Sequence, residues 1–126
     1  MGELIYFEAD AEAEEILKAL RDNGACVILN LMNDDLKFRI VDELQPFIES
    51  TPDGKDDFTG KQTGRTGALI ARSEASRELV MHLTITDLAN QFLEPYTDKI
   101  QLHLTQIIDI RPGQGAQPRH RDRLAW

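Results

Sequence analysis

The segment KIQLHLTQIIDIRPG, residues 99 to 113, constrains the fold more than any other stretch of the chain. Its even positions are Ile100, Leu102, Leu104, Gln106, Ile108 and Ile110, and its odd positions are Gln101, His103, Thr105, Ile107, Asp109 and Arg111. Successive side chains on an extended backbone leave on opposite faces, so this alternation gives one apolar and one mostly polar face. The expectation is a strand whose even face lies under helices, with His103, Thr105 and Asp109 directed to the other side. The run RPGQGAQP then turns the chain, and HRD follows at the start of a further extended stretch.

Upstream, the chain reads in blocks without an internal repeat. Asp10 stands where it can cap a helix that carries Ala13, Ile16, Leu17 and Leu20 at helical spacing, and the DNG run ends that helix at Gly24. ACVILNL reads as a short buried strand. Asn33 opens a second amphipathic helix through Leu36, Ile40, Val41, Leu44 and Ile48, and Pro46 should kink or shorten its last turn. Residues 50 to 67, STPDGKDDFTGKQTGRTG, read as a long polar loop with Phe58 its sole apolar residue, long enough to act as a lid. ALIAR at 68 to 72 reads as a short strand, and Ser73 caps the helix carrying Leu79 and Val80. Thr84, with Asp87 behind it, caps a last helix that Pro95 stops.

Composition limits the functional classes. The formal charge of -8 repels phosphate backbones and anionic bilayers, so neither nucleic acid nor membrane is an expected partner. No apolar run approaches the roughly 18 residues of a membrane span, and the acidic N-terminus lacks the form of a secretion signal, which points to a cytoplasmic protein. The single cysteine, Cys26, excludes an internal disulfide and reads as a small core residue.

Chemistry concentrates at the C-terminal end. His120 and Asp122 share parity, so on an extended chain they project to one face, separated by about 7 Å of strand rise. An imidazole and a carboxylate so placed can hold a divalent first-row metal and leave coordination positions open. By itself H-x-D is also the pattern of an ordinary surface charge pair.

The stretches RTGALIARSEASRELVMH, 65 to 82, and IQLHLTQIIDIRPGQGAQPRHRDRLAW, 100 to 126, resemble the N-terminal half of a phytanoyl-CoA dioxygenase family protein, where a strand ending in a Pro-Gly turn runs into an H-x-D pair. The resemblance covers most of the chain loosely and is sharpest from Arg65 onward. It implies an α+β chain built on a double-stranded β-helix, the jelly roll or cupin-like fold, with N-terminal helices. Residues 1 to 126 would then form a single partial domain, truncated after the first barrel strands. It further implies an oxidoreductase that uses Fe(II) and 2-oxoglutarate with O2 to hydroxylate a small-molecule metabolite, releasing succinate and carbon dioxide.

Under that resemblance His120 and Asp122 are metal ligands, while the distal histidine and the late arginine that grips 2-oxoglutarate have no counterpart. His82 and His103 match neither. Thr105 is the first candidate for a hydrogen bond to 2-oxoglutarate, although strand propensity alone accounts for a threonine there. Arg72, then Arg65, are candidate cations for its carboxylate, against the plain reading as exposed loop arginines. Trp126 and His103 are candidate substrate contacts, against the plain readings of an ordinary core tryptophan and a partly buried, hydrogen-bonded histidine, the latter being the commoner fate of such a residue. Such a chain is expected to be inactive alone and to self-associate through an open strand edge, unless a partner chain supplies the missing half. A compact polar or amphipathic metabolite suits the acidic chain better than a coenzyme A ester. The alternative is a catalytically dead cupin-like module that binds a metal or a ligand.

Overall fold

The computed structural model describes residues 3 to 120, an α+β arrangement. In order it contains β1 (Ile5–Phe7), α1 (Ala13–Asn23), β2 (Cys26–Ile28), α2 (Asp34–Ser50), β3 (Thr63–Gly67), α3 (Leu69–Arg72), α4 (Glu74–Val80), α5 (Leu83–Leu93) and β4 (Gln106–Ile110). Among the described residues β1 pairs with β2 in parallel, and β3 pairs with β4 antiparallel, with Arg65 opposite Ile108 and Gly67 opposite Gln106. No helix among them is long and apolar enough to cross a membrane.

The first core forms where α1 lays Ile16 and Leu17 against Leu88 of α5, with Phe7, Cys26, Ile28 and Phe92 packed around them. Its N-cap is Glu12 and not Asp10, with no side-chain cap bond; Glu14 and Glu15 instead place negative charge at the positive end of the helix dipole. Gly24 ends the helix in the left-handed region, φ 81°, and its N–H reaches the carbonyl of Leu20.

The second packing centre joins α2, α4 and the β3–β4 ladder. Asn33 caps α2 as expected, its side chain accepting the Leu36 N–H at 2.8 Å. The helix continues past Pro46 to Ser50, and its final carbonyls are taken up by the hydroxyls of Ser50 on Pro46 and Thr51 on Phe47. Leu44 and Ala75 are fully buried between α2 and α4. Ser73 caps α4 by accepting the Ser76 N–H at 2.8 Å, and the Glu43 carboxylate of α2 accepts the Ala75 N–H at 3.0 Å. Arg39 ties the same helices together, donating to both oxygens of Glu78 at 2.7 Å.

Further sequence expectations change at the ladder and the helices beside it. TGRTG, read as the end of a loop, is strand β3; its residues have little strand propensity, and pairing with β4 supplies the hydrogen bonds that hold them extended. ALIAR is helical over 69 to 72, because Ala68 takes φ 58° and swings the chain out of the sheet. The last helix begins at Leu83 with His82 as N-cap, leaving Thr84 inside the first turn. β4 covers 106 to 110 only, and its faces are reversed from expectation. The odd face carries half-buried Ile107, across from Thr66, whose hydroxyl meets that of Thr51 at the end of α2 at 2.8 Å. Ile108 and Ile110 on the even face are 47% and 65% exposed.

Hydrogen bonds from Ser73 and the Ala75 N–H hold the Glu43 carboxyl below its ordinary value of 4.5. A carboxyl with a depressed folded-state value adds stability that is present above the unfolded value and lost as pH falls through the folded one. Unfolding by urea should therefore show stability falling below about pH 4.5, and Glu43→Gln should flatten that acid limb. An unchanged acid limb in the variant would show that the contact contributes nothing.

Candidate functional site

The even face of β4 opens into a cleft of about 520 Å³. It is lined by Leu102, Leu104, Gln106 and Ile108 together with Arg65, Phe58, Gln117 and His120, and also by Gln101 and His103. Register explains part of this grouping: Arg65 and Ile108 are directly paired, so their side chains leave the ladder on the same face. A second groove of about 480 Å³ lies between α1, β2 and α5, but its lining is aliphatic and aromatic apart from Cys26. Imidazole and guanidinium groups gather only in the former of these two.

His120 lines the cleft with its ring oriented by its own turn. Its Nδ1 lies 2.9 Å from the carbonyl oxygen of Pro118, which can only accept, so Nδ1 carries a proton and donates it there. The Phe58 ring meets the imidazole edge to face, with centroids 4.9 Å apart and an interplanar angle of 62°. Arg65 is half-buried, and its Nε donates to the carbonyl of Thr59 at 3.1 Å, which fixes the plane of the guanidinium.

The loop from 51 to 62 shapes this wall and is tightly built. Asp56 accepts from both the N–H and the hydroxyl of Thr59, at 2.6 and 2.7 Å, and these bonds hold its carboxyl below the ordinary value. Gly54 lies so close to the turn that a Cβ there would meet the Gly60 carbonyl oxygen at 2.6 Å. Across the ladder the Gln62 N–H donates to Gln114 at 2.8 Å, the Arg111 N–H donates to the Gln62 carbonyl at 3.1 Å, and Arg111 pairs with Asp53. A loop expected to act as a lid is thus fastened at several points.

The sequence candidates separate into three groups. His120, His103 and Arg65 share the cleft. Thr105 and Arg72 do not line it: the Thr105 hydroxyl accepts the Leu69 N–H at 3.1 Å, anchoring α3 to the approach of β4, and the Arg72 guanidinium stacks 4.8 Å above the Phe47 ring. Asp122 and Trp126 lie outside the described residues. Among the described residues no group of three or more His, Cys, Asp or Glu side chains stands ready for a metal ion. Phe58 and Gln117 line the cleft without standing among the sequence candidates; the signal in the sequence for Phe58 is its isolation in a polar loop.

No protein-family model matches the chain. Among curated proteins it is 32% identical over 129 residues to "Dioxygenase FrzG" of Cladobotryum sp, an alignment covering 90% of this chain and 42% of that protein. It is 26% identical to "Dioxygenase swnH2" of Arthroderma benhamiae, covering 94% and 42%, and 28% identical to "Multifunctional dioxygenase ausE" of Emericella nidulans, covering 92% and 41%. The chain spans less than half the length of these relatives. Their names agree on dioxygenase, and none of them mentions phytanoyl-CoA.

Replacing Thr105 with Val keeps the shape but leaves the Leu69 N–H without its acceptor, which should cost about 1 to 2 kcal/mol in urea denaturation. Unchanged stability in Thr105→Val would return this hydroxyl to the candidates for ligand binding.

Proposed function

We propose that this chain forms the metal-binding side of a non-haem Fe(II)- and 2-oxoglutarate-dependent dioxygenase acting on a small molecule. The observation that carries the reading is the setting of His120, whose Nδ1 donates to the Pro118 carbonyl, the backbone contact that commonly orients a metal-ligating imidazole. Similarity to proteins named dioxygenases over nine-tenths of the chain supports the same chemistry. In this reading the β3–β4 ladder belongs to a jelly roll, and His120 and Asp122 are two of the iron ligands. When bound, ferrous iron with 2-oxoglutarate and O2 supplies an oxidative decarboxylation coupled to hydroxylation, converting a substrate C–H to C–OH with release of succinate and carbon dioxide.

The chain's own residues would do three things. His120 offers an imidazole oriented by the Pro118 carbonyl. Arg65, its guanidinium plane set by the Thr59 carbonyl, offers the cation for a carboxylate, and it suits that role better than Arg72, which lies over Phe47 outside the cleft. Leu102, Leu104, Ile108 and Phe58 provide an apolar wall that favours a substrate with a hydrocarbon body. This lining and the chain's net charge of -8 both favour a compact amphipathic metabolite over a polyanionic thioester.

The test uses the protein that carries this chain, supplied with Fe(II), 2-oxoglutarate and O2. Succinate should form, and His120→Ala should lower its rate by about 10- to 100-fold, the loss typical of a disturbed metal site. Arg65→Ala should raise the KM for 2-oxoglutarate more than it lowers kcat. Tight metal binding without succinate would identify a binding module instead, and equal turnover in His120→Ala would end the iron assignment.

A further inference from the structure

We infer that Phe58 is a positioning residue for His120, carried by a loop that works as a fixed brace and not as a lid; its consequence for metal binding rests on the function proposed above. Phe58 is the one apolar side chain in a polar loop, and half of its surface is exposed. Burial therefore gives it little reason to be there. Its ring instead packs edge to face on the imidazole of His120, at 4.9 Å.

The backbone beneath that ring is secured from two directions. From inside the loop, the adjacent Thr59 is fastened by Asp56, and its carbonyl accepts from Arg65 of β3. From the opposite segment, the Gln117 side-chain amide donates to the Phe58 carbonyl at 2.5 Å, and the Gln62 N–H donates to Gln114. Gln117 precedes His120 by three residues, so one short segment both receives the ring of Phe58 and grips its backbone. The Pro118 carbonyl of its own turn and the Phe58 ring of the brace thereby both act on the imidazole. A ligand already oriented loses less rotamer freedom when a metal binds.

The experiment compares the wild type with Phe58→Ala, Phe58→Leu, Phe58→Trp and His120→Ala. In the metal-free protein, NMR should show the His120 ring protons displaced by the Phe58 ring current and in contact with it, and both displacement and fixed ring orientation should be lost in Phe58→Ala and Phe58→Leu. Co(II), used as the probe metal, should bind about three- to tenfold more weakly to these two variants, the range expected for one aromatic contact, and Phe58→Trp should recover most of the affinity. Urea denaturation should find the four Phe58 proteins similarly stable, because the side chain is only half covered. Unchanged His120 ring signals in Phe58→Ala, or equal Co(II) affinity in wild type and Phe58→Ala where His120→Ala has lost it, would overturn the inference. Equal Co(II) binding by wild type and His120→Ala would overturn the metal assignment instead, and the metal-free NMR comparison would still decide whether Phe58 orients the ring.

Discussion

The antiparallel pairing of Thr63–Gly67 with Gln106–Ile110 is the constraint on which the site depends. It joins two segments some forty residues apart, and it does so with a strand, TGRTG, whose side chains offer little apolar surface to hold it. Backbone hydrogen bonding supplies what the side chains do not. Once the register is set, Arg65 faces the same way as Ile108, and the turn after β4 brings 114 to 120 back against the loop before β3. A shift by one residue would send Arg65 to the helix side and remove the cation from the cleft.

Helices support this ladder from its other face. The hydroxyl of Thr51, at the end of α2, meets Thr66 of β3, and Thr105 just before β4 takes the first N–H of α3. α2 is in turn fastened to α4 by a shared cap in which Glu43 serves the Ala75 N–H, and by the two-pronged Arg39 to Glu78 pair. These contacts are polar and directional, so they specify orientation more than they add apolar burial. The aliphatic core lies elsewhere, between α1, α5 and the parallel pair.

Two opposite surfaces of β4 thus have different fates. Ile107 packs toward the helices, while Ile108 and Ile110 stay largely exposed, and Ile108 lines the cleft together with Leu102, Leu104, His120 and Arg65. Apolar surface beside an imidazole and a guanidinium favours ligands with a hydrocarbon body and an acidic group, because each part finds its match within one cleft. Fastening the 51 to 62 loop at Asp53, Phe58 and Gln62 makes that cleft wall rigid.

Much that is local was legible in the sequence. Asn33 and Ser73 act as N-caps because a short polar side chain before an apolar-periodic run can reach only the first turn's N–H groups, and Gly24 ends α1 because it alone there enters the left-handed region freely. The H-x-D spacing and the alternation read over 100 to 111 are likewise properties of a few neighbouring residues. What only tertiary structure decided were the choices between partners: TGRTG as strand, ALIAR as helix, the even face of β4 turned to the cleft, Thr105 spent on a backbone N–H, and Phe58 brought onto His120. Period-two patterning says which side chains share a face, but it contains nothing about which face meets the helices, since Ile107 and Ile108 are equally apolar. That decision belongs to residues forty or more positions away, and pairing at such separation is set by the fit of the folded whole.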